Sequence, residues 1–216
     1  MELIYVGDPM CSWCYGFGKE MTALRERFPE LPLRIVVGGI RAGATDILDD
    51  AGKQFRLQHW SRVEAASGLP FNREGFVARE NFVYDTEPIC RAVVAARQLA
   101  PQANLLAVFR ALQHAFYVEA RDTTDGKTLA EVATQALGRQ GHDIAIQTFL
   151  ATWASEATIA ATVDDFRLAR SWGISSFPAL VLGHAGKLYS VSAGYAPVAD
   201  IAQQLEHVLQ AASAAA

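Results

Sequence analysis

The sequence predicts an α/β fold: a β-α-β segment, a long helical block, then a β-β-α segment that returns to the same sheet. Three observations carry this. Short apolar runs at Leu3–Val6, Leu33–Val37 and Ala179–Leu182 have the length of strands, and the first suits a strand covered on both faces. Cys14, Phe17, Met21, Leu24 and Phe28 recur at steps of three and four, which puts a helix between the first two runs. Residues from about 45 to 172 keep helical periodicity almost throughout.

In order along the chain, Gly7-Asp8-Pro9 breaks the first strand, and Pro29 and Pro32 close the helix that follows. Leu33–Val37 is rich in β-branched residues and stops at Gly38-Gly39, giving a parallel β-α-β unit. In the helical block, Leu105, Phe109, Leu112 and Phe116 mark one helix face. Thr128-Leu129-Ala130-Glu131 matches a capping box, and Asp143 and Ser155 are candidate N-caps. Ile159, Val163 and Phe166 form the expected inner face of the last helix of the block. Gly183–Gly186 reads as a turn, Leu188–Val191 as an outer antiparallel strand, and Pro197 opens a final helix with face Val198, Ile201, Leu205, Val208 and Leu209. Ala211–Ala216 reads as a frayed tail. The two outer pieces, 1–44 plus 173–216, make one domain with a four-stranded sheet, and 45–172 is an all-helical insertion into it.

Composition agrees. At 216 residues, 51% hydrophobic and 19% charged, the chain can bury a substantial core, which excludes disorder, collagen and a disulfide-dense scaffold. Net charge is 19 − 23 = −4, with no basic block, so nucleic acid is not an expected partner. No apolar run approaches the roughly 18 residues of a membrane span. The first residues lead straight into a strand rather than a signal peptide, so the expected location is cytoplasmic, where structural disulfides are rare.

Three cysteines then need a reason. Cys11-Ser12-Trp13-Cys14 follows a strand and opens a helix. Free amide groups and the positive end of the helix dipole favour a thiolate at Cys11, and a thiolate is the species that attacks a disulfide. Cys14 sits one turn deeper, placed to resolve the mixed disulfide. Half a zinc site is a poor reading, because structural zinc takes four ligands and there is no second C-x-x-C. Ser176-Phe177-Pro178 precedes a strand. It fits either a strand-initiating trans proline or a cis proline, and the upstream strand–C-x-x-C–helix favours cis.

Asp8-Pro9-Met10-Cys11-Ser12-Trp13-Cys14, together with Ser176-Phe177-Pro178 ahead of a strand pair, resembles the thioredoxin superfamily. The large helical insertion resembles its DsbA-like branch of cytosolic disulfide oxidoreductases and isomerases. The resemblance implies a thioredoxin-like fold, Cys11 as attacking thiolate and Cys14 as resolving thiol. It also implies a cis Pro178 facing the pair, with the backbone of Phe177 pairing to an extended substrate segment. Trp13 would line an apolar groove beside Cys11. Two departures matter. DsbA carries a histidine between its cysteines, and Ser12-Trp13 lacks that imidazole, so a less oxidising disulfide is expected. Thioredoxin-like enzymes often bury a carboxylate six residues before the first cysteine, and Tyr5 stands there instead. Asp8 either shapes the turn or assists proton transfer, the turn role having the better support.

Thr86–Arg91 opens a helix that relatives bring to the cleft. Cys90 reads first as a small buried apolar residue and second as a third redox thiol. Trp60, Trp153 and Trp172 are expected in packing. Asp49-Asp50 and Asp164-Asp165 are expected on solvated helix faces. His59, His114, His142, His184 and His207 show no ligand spacing, so no metal is expected.

The expected activity is thiol–disulfide exchange on protein, peptide or small-molecule disulfides, without an organic cofactor. Glutathione is the candidate co-substrate, and glutathione or a recycling reductase the partner that resets the pair. Two alternatives stand beside it. One is a glutathione-dependent isomerase or transferase of the kappa or 2-hydroxychromene-2-carboxylate isomerase type. Those enzymes use a serine where Cys11 stands, and Ser12 lies one position away. The other is a redox-sensing binding protein.

Overall fold

The computed structural model describes residues 1–214. Its elements run β1 (Glu2–Gly7), α1 (Ser12–Arg27), β2 (Leu33–Val37), then seven helices. These are α2 (Asp50–Ser67), α3 (Arg73–Val77), α4 (Glu87–Leu99), α5 (Leu105–Tyr117), α6 (Gly126–Gly138), α7 (Ile146–Trp153) and α8 (Glu156–Ser171). The chain then forms β3 (Ala179–His184), β4 (Lys187–Ser192) and α9 (Val198–Ala214).

The sheet order is β2-β1-β3-β4. β1 pairs with β2 in parallel and with β3 antiparallel, and β4 closes the sheet as an antiparallel edge. Strand pleating sends alternate residues to opposite faces. Leu3 and Tyr5 of β1 enter a large core shared with α1, α4, α5 and α9, while Ile4 and Val6 enter a smaller one with Ala169 of α8. Both faces are covered, which is why β1 reads as an unbroken apolar run.

The free edge of β2 is sealed by side chains. Asp165 of α8 accepts from the Val37 amide at 3.0 Å, and Arg97 of α4 donates to the Ile35 carbonyl at 3.0 Å. The two side chains also form a bidentate ion pair, at 3.0 and 3.1 Å. Asp165 is 6% exposed, so the expectation of a solvated Asp164-Asp165 face is corrected for Asp165.

Other corrections concern helix ends. The α6 cap is Asp125, which accepts from the Thr128 amide, and Glu131 pairs with Arg121 instead of closing a capping box. Asp143 caps nothing: α7 starts after Ala145 with no side-chain cap. Ser155 caps α8 as expected. The buried face of α8 is Thr158, Thr162, Asp165, Phe166 and Ala169, with Ile159 exposed. An apolar tally missed the small polar residues that fit against α4. The β3–β4 turn is only Ala185-Gly186, both at positive φ (48° and 74°), as a two-residue hairpin turn requires. Residues 211–214 continue α9 rather than fray, and 215–216 lie outside the described residues.

Behind the cysteine segment the helices enclose an aromatic cluster. Trp60 lies 4.5 Å from Phe76, 5.0 Å from Phe71 and 5.2 Å from Tyr117, ring centre to ring centre. Tyr117 in turn stacks on Tyr15 of α1 at 4.6 Å. These contacts join the helical segment to the first helix of the sheet layer.

Candidate active site

β1 ends at Gly7, and the loop Asp8-Pro9-Met10 turns the chain into α1 with Cys11 as its N-cap residue (φ −80°, ψ 119°). The Cys11 amide donates to the Asp8 carbonyl at 3.0 Å, which tightens the turn. Cys11 is 7% exposed and Cys14 fully buried, and the two residues approach to 3.6 Å with both thiols unpaired. The Cys11 thiol donates to the Phe177 carbonyl at 3.6 Å. The Phe177-Pro178 peptide is cis, so the expected proline geometry lies directly across from Cys11.

Phe177 itself is divided in function. Its ring packs over Gly38, where a Cβ would come within 2.2 Å of Cζ. Only glycine leaves that space, and the ring is therefore a packing group. The carbonyl is what faces the cysteine. Pro178 is buried and Trp13 half-buried, with the Trp13 indole 5.8 Å from the Tyr195 ring.

Cys14 is held from two sides. The Asp8 amide donates to its sulfur at 3.5 Å, and the Tyr5 hydroxyl lies beside it. Burial pushes the Cys14 thiol well above its ordinary value, with the neighbouring Cys11 adding to the rise. Desolvation also raises the Tyr5 phenol, and its buried oxygen has no hydrogen-bond partner.

Asp8 is not an exposed turn residue. It is fully buried, and its carboxylate accepts from the amides of Met10 and Ile40, both at 2.8 Å. Thr86 and Cys90, at the start of α4, also border it, and the Thr86 hydroxyl accepts from the Arg41 amide. The α4 start is thus brought to the cysteine loop, as the resemblance implied. Burial raises the Asp8 carboxyl to about 6, against the lowering by these hydrogen bonds. Cys90 is fully buried and its thiol is pushed up by burial and by the Asp8 charge. That environment opposes thiolate formation.

Sequence reasoning missed Tyr84 and Tyr117. Both hydroxyls donate to the Met10 carbonyl, one residue before Cys11. They lie 74 and 107 residues away in the chain, and no motif marks them. Among the described residues there is no group of three or more His, Cys, Asp or Glu that could hold a metal ion, and no helix long and apolar enough to cross a membrane.

Solved structures give the relationship. A candidate protein disulfide isomerase from Nitrosomonas europaea is 33% identical, with 96% of this chain and 97% of the other covered and a TM-score of 0.85. The cytosolic disulfide reductase DsbM from Pseudomonas aeruginosa is 26% identical over 98% and 100% of the two chains, with a TM-score of 0.77. A 2-hydroxychromene-2-carboxylate isomerase has a TM-score of 0.65 at 14% identity over 97% and 95%, a likeness of fold alone. No protein-family model and no curated protein matches the chain. The chain belongs to the DsbA-like thioredoxin-fold family, and its class is that of the thiol–disulfide oxidoreductases.

Proposed function

We propose that Cys11 is the attacking thiolate and Cys14 the resolving thiol of a dithiol–disulfide exchange centre. The observation that carries this is the position of Cys11. It is the N-cap residue of α1, with its thiol beneath the Phe177 carbonyl and Cys14 buried 3.6 Å behind it. The thiolate attacks one sulfur of a substrate disulfide, forms a mixed disulfide and releases the other sulfur as a thiolate. Cys14 then loses its proton and attacks Cys11 Sγ. The Cys11–Cys14 disulfide forms, the second substrate thiolate leaves, and two electrons have passed to the substrate. Two thiols of a low-molecular-weight reductant reverse the change and are themselves oxidised to a disulfide. Glutathione fits that role: one DsbM structure was determined with it. The reading includes a cytoplasmic setting, supported by the cytosolic description of DsbM.

The substrate is a disulfide in an extended protein or peptide segment. Its backbone pairs with that of Phe177, beside Pro178, and Trp13 borders the entry. The test is turnover of a peptide disulfide. Cys11→Ser abolishes it, and Cys14→Ser traps a mixed disulfide seen as a mass increase. Unchanged turnover by Cys11→Ser would overturn the reading. A glutathione redox titration gives the direction. A potential near roughly −270 mV marks a reductant and one between about −180 and −120 mV an isomerase or oxidant.

A further inference from the structure

The peptide unit ahead of Cys11 is bonded at both ends. Its oxygen, Met10 O, accepts from Tyr84 Oη at 2.5 Å and from Tyr117 Oη at 2.6 Å. Its N–H, that of Cys11, donates to the Asp8 carbonyl at 3.0 Å. A carbonyl oxygen has two lone pairs, and here two buried hydroxyls fill them. Both donors come from the helical segment, Tyr84 just before α4 and Tyr117 at the end of α5.

The rings cannot swing away. Tyr117 stacks on Tyr15, and Tyr84 meets the Phe116 ring edge-on at 5.7 Å. The Arg56 guanidinium lies over the Tyr84 ring, 4.4 Å from its centre. A cation on the ring face draws electron density from the phenol and makes its O–H a stronger donor.

We propose that Tyr84 and Tyr117 are positioning residues for Cys11, jointly fixing the Met10–Cys11 peptide and offsetting its carbonyl dipole where the thiolate forms. The proposal rests on Cys11 being the attacking thiolate. Tyr5 from β1, Cys14 from α1 and the two tyrosines bear on Cys11, and none of these is a cation; the Arg56 guanidinium is set over the Tyr84 ring. Neutral donors therefore carry more of the task. A bare Met10 oxygen would present its negative end one peptide away from the sulfur. Two O–H dipoles aimed at that oxygen cancel the field and hold the peptide plane, so the helix end stays turned toward Cys11.

The test is iodoacetamide alkylation of Cys11 in the reduced protein, followed by mass spectrometry, for Tyr84→Phe, Tyr117→Phe and the double variant. Phenylalanine keeps each ring and removes only the donor. Each single variant leaves one donor on the carbonyl and should slow alkylation about twofold. The double variant should slow it about tenfold, more than the product of the singles. Its alkylation profile should also move to higher pH. A folded double variant with the wild-type rate and pH profile would overturn the proposal. If the double variant does not fold, the singles decide, and wild-type rates in both would overturn it. Alkylation needs no turnover. A wild-type protein without a reversible glutathione transition would therefore defeat the exchange reading separately.

Discussion

Asp8 meets Cys14 through its backbone and holds the loop ahead of Cys11 through its side chain. The amide donates to the Cys14 sulfur at 3.5 Å, and the carboxylate collects the amides of Met10 and Ile40. One buried residue thus touches the deep thiol and shapes the segment that carries the outer one. A fully buried carboxylate held by neutral donors carries a costly charge.

That cost has a pH signature. The Asp8 carboxyl is raised to about 6 from 3.8, so between those values the folded chain holds a proton that the unfolded chain has released. The contribution to stability is fully present below the unfolded value. It is lost as pH rises to about 6, and stays lost above. At 1.36 kcal/mol per unit the loss is about 3 kcal/mol. The thiols of Cys14 and Cys90, both pushed upward by burial, stay protonated in that range. Asp8→Asn cannot titrate. Urea unfolding of both proteins should show wild type losing about 3 kcal/mol relative to the variant from acid to neutral pH. Parallel stability–pH curves would remove the argument.

Gly38 and Phe177 give a second expectation. The backbone at Gly38 does not have a positive φ, so the constraint there is space, not conformation. Alanine would drive its Cβ into the Phe177 ring, which carries the carbonyl that faces Cys11. Gly38→Ala should cost about 1–3 kcal/mol by overpacking and should slow disulfide exchange as well. A thermal melt and a turnover assay at wild-type values would show that the ring has room to move.

The sheet and its flanking helices were legible because their signals are local. Apolar runs, a Gly-Asp-Pro break and a C-x-x-C at a strand–helix junction all lie within a few residues of what they specify. Fold class, the parallel β1–β2 pair and the cis Phe177-Pro178 bond followed from such signals and from the family resemblance. What escaped is long-range and polar. Asp165 looks like one of two adjacent surface acids until α8 is laid beside β2, where it meets Val37 and Arg97. Tyr84 and Tyr117 carry no motif, and their hydroxyls find Met10 only once the helical segment has folded over α1. Asp8 before a proline looks like any turn starter, and its burial depends on Ile40 and Thr86 arriving from other segments.

Asp165 supplies a third expectation. Its side chain is 7% exposed and satisfies both the Val37 amide and the Arg97 guanidinium. Asp165→Ala leaves a backbone N–H and a partly buried cation unpaired, which should cost about 1–3 kcal/mol. Adding Arg97→Ala should recover part of the loss, because the orphaned charge is then gone. Urea midpoints for the single and double variants measure this. A single variant within about 0.5 kcal/mol of wild type would mean that water replaces the carboxylate at the β2 edge.

Tyr5 gives the last expectation, because its ring and its hydroxyl have different roles. The ring packs between Phe17, 5.9 Å away, and Phe109, 5.4 Å away, and it covers Gly7 so closely that a Cβ there would come within 2.7 Å of Cζ. The hydroxyl is buried without a hydrogen-bond partner and lies beside Cys14. Tyr5→Phe keeps the packing and removes the poorly paired oxygen, so stability should change by less than about 1 kcal/mol, in either direction. Chemistry at Cys14 should respond more. A phenol O–H that turns to the sulfur as it ionises favours the thiolate, so the variant should resolve a Cys11 mixed disulfide about three- to tenfold more slowly. Single-turnover decay of a preformed mixed disulfide, read beside a urea curve, separates the two effects. A large stability loss with unchanged decay would assign Tyr5 to packing alone, and a stable variant with slowed decay places its hydroxyl in the resolving step.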